Sequence, residues 1–172
     1  MKFVPKIYKK TIFDIPYEKL KKDNIKCLIF DLDNTIAFID QAKPTEEVIE
    51  LFNKLNKDFD VFILSNNSRG VRVSGYAKEL GCKSIRFACK PFTRGLKKIQ
   101  KQGNYNKENM AIIGDQFMTD IKAGDRFKIT TILVDPLAVK DLWVTKFNRA
   151  LENKKLKKYK KENLFERGKY YE

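Results

Sequence analysis

Residues 27–35 read Cys27-Leu28-Ile29-Phe30-Asp31-Leu32-Asp33-Asn34-Thr35. Four consecutive apolar residues, followed at once by polar ones, suit a strand buried on both faces, the pattern of a parallel sheet. Three more strong runs of this kind lie at 61–64, 111–113 and 130–134, with a weaker fifth at 85–88. Between them fall helical patterns. Thr45 can cap a helix whose first turn holds Glu46 and Glu47, where carboxylates oppose the positive end of the dipole. Val48, Leu51, Phe52 and Leu55 then keep the i, i+3, i+4, i+7 spacing of one buried stripe. Further helices are predicted over 71–80 and 93–102, stopped by Gly81 and Gly103, and a short one over 119–127. Alternating strands and helices predict an α/β fold, a three-layer doubly wound (Rossmann-like) parallel sheet of about five strands.

In such a sheet the carboxyl ends of the strands share one edge, and ligands bind where the strand order reverses. The polar residues after each run then gain significance. The first run delivers Asp31, Asp33 and Thr35, the second Ser65 and Asn66, and the run at 111–113 Gly114 and Asp115 with Asp120 five residues on. Lys90 follows the weak run. Taken singly, Asp-x-Asp is a common turn or cap, Ser-Asn a common turn and Lys90 an ordinary surface lysine. Gathered on one edge they make a different object. Several carboxylates in one cleft repel unless a cation neutralises them, and all-oxygen ligation favours Mg²⁺. A lysine and a hydroxyl beside them can hold phosphate oxygens. The set suits phosphoryl transfer: Asp31 can attack phosphorus to form an acyl phosphate, and Asp33 can protonate the leaving alcohol and then activate water.

Composition narrows the alternatives. The 172 residues suit one domain with a real core, and 42% of them are hydrophobic. Histidine is absent, which excludes a Ser-His-Asp triad, a histidine base and most zinc sites. Cys27, Cys82 and Cys89 have no metal-like spacing, and Cys27 and Cys82 read as reduced core residues, which fits a reducing cytoplasm. No apolar run reaches the ~18–20 residues that cross a bilayer, and the start has no signal-peptide pattern. The expected location is cytoplasmic, with any membrane contact peripheral. The net charge of +14 favours anionic partners or reflects a general abundance of lysine. From about residue 140 a basic tail carries Trp143, Phe147, Leu151 and Leu156 among lysines. It reads either as a solvated helix or as a segment lying on an anionic interface.

The residues resemble the four motifs of the haloacid dehalogenase superfamily. Asp31-Leu32-Asp33-Asn34-Thr35 is similar to the first, Ser65 to the second, Lys90-Pro91 to the third, and Gly114-Asp115 through Asp120 to the fourth. The resemblance implies Asp31 as nucleophile, Asp33 as acid/base, and Ser65 and Lys90 on the phosphate, with Thr35 and Asn66 on the substrate side. It implies Mg²⁺ on Asp31, the Asp33 carbonyl and Asp115, with Asp120 supporting either the metal or Lys90. The runs from Gly114 to Ile121 and Thr131 to Leu137, with Thr145 to Arg149, further resemble subfamily IIIA phosphatases of the YqeG type. That branch is associated with dephosphorylating phosphatidylglycerophosphate, so a phospholipid headgroup is the expected partner. Lys128 departs from the branch, where glycine is usual, and puts a local turn in question.

Only 33 residues separate Asp31 from Ser65 and 24 separate Ser65 from Lys90, so neither gap holds a cap domain. An open cleft suits a phosphate on a large carrier. A nucleic-acid end or a phosphoprotein fits the same chemistry, and a non-catalytic basic binding protein is the third reading. No nucleic-acid recognition module is evident, so nucleic acid is not favoured.

Overall fold

The computed structural model describes residues 2–66, 70–138 and 143–172, and for 143–151 the backbone alone. Six parallel strands form one sheet in the order β1-β6-β5-β2-β3-β4. They are β1 (Ile7–Lys9), β2 (Cys27–Phe30), β3 (Asp60–Leu64), β4 (Lys83–Ile85), β5 (Met110–Gly114) and β6 (Thr130–Val134). The helices are α1 (Tyr17–Lys22), α2 (Glu46–Leu55), α3 (Gly70–Glu79), α4 (Arg94–Gly103), α5 (Lys122–Phe127) and α6 (Trp143–Lys161). The chain runs outward from β2 through β3 to β4, then crosses back to β5 on the other side of β2, so the order reverses at β2.

Side-chain alternation along the strands builds two cores. Leu28, Phe30, Val61 and Ile63 pack with Val48 and Phe52 of α2 and Val73 and Tyr76 of α3. Cys27, Ile29, Phe62 and Leu64 pack with Leu96 and Ile99 of α4 and Ala123 and Phe127 of α5. Strands buried on both faces read as unbroken apolar runs for this reason. Phe52 is fully buried against Phe30, their rings 5.0 Å apart, and such burial contributes about 1.5–3 kcal/mol.

Six strands stand where about five were predicted. β1 was not foreseen: three residues on a sheet edge leave too short a pattern. The fifth run was placed two residues late. Lys83–Ile85 pairs with β3, while Phe87 and Cys89 take positive φ (50° and 53°) and leave the strand. The cap of α2 is as predicted, Thr45 accepting the Val48 N–H at 3.4 Å. Gly81 ends the segment after α3 with φ 63°. Gly103, in contrast, is inside α4, and Asn104 is the left-handed cap. A Cβ at Gly103 would lie 2.0 Å from the end of the Tyr105 ring, which would have to shift to admit one.

The predicted helix at 119–127 begins as a wider π turn over Phe117–Ile121 before α5. Lys128 follows in the left-handed region, φ 64°, and forms the turn that its departure from glycine had put in question. Among the described residues, α2 is the only element between β2 and β3, and α3 the only one between β3 and β4.

The tail is helical over α6 and then folds back. Tyr159 and Phe165 are buried with Phe3, Tyr8, Phe117 and Leu133, with Leu156 packed against them. Tyr171 pairs antiparallel with Tyr8, covering the outer edge of β1. The apolar residues of the tail beyond 151 are thus largely taken up by the fold; the side chains of Trp143, Phe147 and Leu151 lie outside the described residues. No described helix is long and apolar enough to cross a membrane.

Candidate active site

Pairing sets the level at which each functional residue leaves the sheet. Phe30 lies opposite Ile63 on one side and Ile113 on the other. The next residues along the three central strands therefore emerge together: Asp31 from β2, Leu64 and Ser65 from β3, Gly114 and Asp115 from β5. The Asp31 N–H donates to the Ile113 carbonyl at 2.8 Å, which extends the ladder one step and fixes the Asp31 backbone.

Lys90 reaches into this group from the loop after β4. Its ammonium is buried, pairs with the Asp31 carboxylate, lies 2.7 Å from Asp120 Oδ1, and donates to the Leu64 carbonyl at 2.9 Å. Burial alone would lower the Lys90 ammonium, but Asp120 and Asp31 outweigh it and hold Lys90 charged, above the ordinary lysine range. For Asp31 burial dominates and pushes the carboxyl up to about 7; Lys90 pulls it down and Asp120 adds to the rise.

Asp120 is delivered by the π turn. Its Oδ2 accepts the Gln116 N–H at 3.1 Å. It also lies against Gly114, where a Cβ would sit 2.3 Å from Asp120 Cγ, so only glycine at the end of β5 lets this carboxylate approach. Asp115 is buried beside it and accepts the Thr35 hydroxyl at 3.3 Å. Ligand oxygens of Asp31, Asp115 and Asp120 all lie within 4.8 Å of one another. Three buried carboxylates face one ammonium, and a divalent cation would remove the remaining repulsion. The donors are hard oxygens, the type that Mg²⁺ and Ca²⁺ select. These residues fit a divalent metal.

The other predicted residues are placed as follows. Ser65 is buried at the end of β3. The side chain of Asn66 grips the Lys90 backbone from both sides, its Nδ2 donating to the Lys90 carbonyl at 3.0 Å and its Oδ1 accepting the Lys90 N–H at 2.8 Å. Asn66 and Thr35 were expected on the substrate side; their side chains hold Lys90 and Asp115. The Asp33 carboxylate pairs with Arg72 rather than with the other carboxylates.

Two arginines were missed. Arg72 on α3 pairs with Asp33, donates through Nε to the Gln41 carbonyl at 3.0 Å and through Nη2 to the Phe38 carbonyl at 2.7 Å, and lies over the Tyr76 ring. Arg167, in the returning tail, donates to the Asp115 carbonyl at 3.3 Å and to Glu152 at 2.6 Å. The only sequence signal for Arg72 was a basic residue shortly after the Ser65-Asn66 turn. Arg167 had none, since nothing local ties it to β5.

The profile of the haloacid dehalogenase-like hydrolase family matches residues 12–127, which include every strand from β2 to β5 and Asp31, Asp33, Asp115 and Asp120. The chain belongs to the haloacid dehalogenase-like hydrolases. It is 38% identical over 160 residues to the protein named probable phosphatase YqeG of Bacillus subtilis (strain 168), with 92% of each chain covered. It is 24% identical over 176 residues to phosphatidylglycerophosphate phosphatase 1, chloroplastic/mitochondrial, of Arabidopsis thaliana. That match covers 94% of this chain and 49% of the plant protein, so the chain spans about half of that relative's length. Among solved structures, a HAD-like family hydrolase from Porphyromonas gingivalis superposes with a TM-score of 0.54 over 74% of this chain and 98% of that one, at 14% identity. That likeness is one of fold. Family and relatives together make this HAD-like chain a phosphatase, a class whose members use a divalent metal.

Proposed function

We propose that this chain is a Mg²⁺-dependent phosphomonoesterase that works through an aspartyl-phosphate on Asp31 and dephosphorylates phosphatidylglycerophosphate. The observation that carries the chemistry is the buried array of Asp31, Lys90 and Asp120 with Asp115 in reach. Asp31, Asp115 and Asp120 are the residues that would hold the cation, which when bound neutralises the charge that phosphate brings to a carboxylate nucleophile.

The chain's own groups carry the steps. An Asp31 oxygen attacks phosphorus and the bond to the leaving oxygen breaks, while Asp33 gives that oxygen a proton. Water then attacks the acyl phosphate with Asp33 taking its proton; the bond from phosphorus to Asp31 breaks and inorganic phosphate leaves. Lys90 stays charged throughout and binds phosphate oxygens, as Ser65 does through its hydroxyl. Asn66 holds Lys90 in place and Thr35 holds Asp115. Arg72 keeps Asp33 aimed from the 33–41 loop.

The lipid substrate is supported by the name of the Arabidopsis relative and by the short connections on either side of β3, which leave the cleft open to a headgroup at a surface. The test compares turnover of phosphatidylglycerophosphate in mixed micelles with turnover of glycerol phosphate in solution. A large preference for the lipid is expected; equal rates would remove the lipid assignment. Asp31→Asn should abolish turnover of both, and a variant retaining most of its activity would remove the nucleophile assignment.

A further inference from the structure

Among the described residues, eight large apolar side chains are exposed. Two of them, Leu164 and Tyr170, lie in the tail. The other six, Phe13, Phe38, Val71, Phe87, Phe92 and Leu137, all lie on segments that leave the carboxyl ends of strands: β1, β2, β3, β4 twice, and β6. Singly exposed apolar residues need no explanation, but six on one edge of one sheet do. Val71 is 91% exposed, Phe92 67% and Phe87 60%, so they contribute little to the core.

These positions are joined. Arg72, next to Val71, holds the carbonyl of Phe38. Arg86, next to Phe87, lies directly against Gly70, where a Cβ would sit 1.9 Å from its guanidinium. The Phe92 N–H donates to the Cys89 carbonyl at 2.8 Å, closing the turn that carries Lys90. A cleft of about 180 Å³ separates Phe13, Phe38 and Leu137, and Thr35 of the active site is in its wall. The six exposed apolar residues thus lie on the same edge of the sheet as Asp31 and Lys90.

We propose that this carboxyl edge docks on an anionic phospholipid bilayer, with the 86–94 loop as its main anchor. The proposal rests on the lipid reading above for its occupant. Residues 86–94 read Arg86-Phe87-Ala88-Cys89-Lys90-Pro91-Phe92-Thr93-Arg94, with no acidic residue. Arg86, Phe87, Phe92 and Arg94 are exposed, and Arg126 is tied to the same loop by a 3.1 Å bond to the Pro91 carbonyl. Exposed aromatics flanked by arginines suit the headgroup boundary, where rings enter the acyl region and guanidinium groups meet lipid phosphates. The net charge of +14 supports the same partner at longer range. Docked this way, Lys90 and Asp31 face the membrane, and a phosphate on a lipid headgroup enters without the lipid leaving the bilayer. The basic tail is then not the anchor, since its described apolar side chains are mostly used inside the fold.

The test is cosedimentation of the full chain with vesicles of phosphatidylcholine alone or mixed with phosphatidylglycerol, neither containing substrate. The wild type should bind the mixed vesicles and far less of the neutral ones. Phe87→Ser with Phe92→Ser should weaken that binding roughly tenfold or more, and each of Arg86→Gln and Arg94→Gln by roughly fivefold. Turnover of a soluble aryl phosphate should be unchanged in all of them, which shows that they are folded. Equal vesicle binding by the wild type and the double phenylalanine variant overturns the proposal. So does a double variant that changes oligomeric state in light scattering while binding vesicles as before, because this edge would then be a protein interface. Binding is read without turnover: a protein that docks but leaves phosphatidylglycerophosphate intact removes the substrate assignment, and one that cleaves that lipid in detergent but ignores vesicles removes the docking face.

Discussion

The Arg72 guanidinium pairs with the Asp33 carboxylate and, through its other nitrogens, holds the carbonyls of Phe38 and Gln41. One side chain from α3 therefore fixes both the proposed acid/base and the loop behind it. The planar fork makes this possible, and lysine cannot reproduce three directed contacts. Arg72→Gln should lower kcat by about 10–100-fold, the range expected when a reacting group is misplaced by an ångström. KM should change much less, since the proposed phosphate-binding groups, Lys90 and Ser65, are untouched. Arg72→Lys should recover only part of the loss. Steady-state kinetics on one substrate for the three proteins checks this; a kcat unchanged in Arg72→Gln removes Arg72 as a positioning residue.

The carboxylate cluster makes a prediction that does not depend on turnover. Asp31, Asp115 and Asp120 are preformed and buried, so a divalent cation should bind the folded chain far better than the unfolded one. At a hundredfold excess over Kd the stabilisation is about 2.7 kcal/mol, or roughly 5–11 °C in Tm for a chain of this size. Thermal melts with and without Mg²⁺ read this directly. Asp115→Asn should lose most of the shift, and EDTA should return the wild type to its metal-free Tm. An identical shift in Asp115→Asn would place the cation elsewhere.

The parts of this molecule that were legible in sequence share a physical cause. Leu28, Phe30, Ile112 and Ile113 are buried on both faces of the sheet, and their runs stood out. Asp31, Lys90, Asp115 and Asp120 were legible because strand ends deliver them in a fixed order. Ile7-Tyr8-Lys9 was not, since an edge strand of three residues depends on Tyr171, 163 positions away, to complete its pairing. Residues 85–88 looked like strand because they are mostly apolar, but the strand ends at Ile85 and Phe87 is exposed and left-handed. The contacts of Arg72 and Arg167 are set by how α3 and the tail pack, which no local pattern encodes.

Phe165 tests whether the tail belongs to the fold. Its ring lies 5.2 Å from that of Tyr8 and 5.3 Å from that of Phe117, under the same cluster as Tyr159. Two residues on, Arg167 holds the Asp115 carbonyl. Phe165→Ala should cost about 3–5 kcal/mol, the range for emptying a buried aromatic site. Denaturant unfolding measures it. Because the tail supports β5 through Arg167, the same variant should lose activity at temperatures well below its unfolding midpoint. A stability unchanged within about 0.5 kcal/mol would return the tail to the status of a solvated appendage.

Lys128 offers a change in the other direction. It closes α5 with φ 64° and ψ 48°, a conformation that costs a residue with a Cβ about 1–2 kcal/mol. Its ion pair with Asp125, at 3.7 Å, joins a side chain that is 69% exposed, and exposed pairs of this kind contribute little. Lys128→Gly relieves the backbone strain but gives the unfolded chain more freedom, which returns roughly half of the gain. The net expectation is a stabilisation of about 0.5–1 kcal/mol, a rise in Tm of roughly 1–4 °C. Lys128→Ala is the control, because it removes the same ion pair and keeps the strained backbone. It should be neutral or slightly less stable than the wild type. If alanine and glycine stabilise equally, the effect lies in the lost lysine charge and not in the left-handed turn.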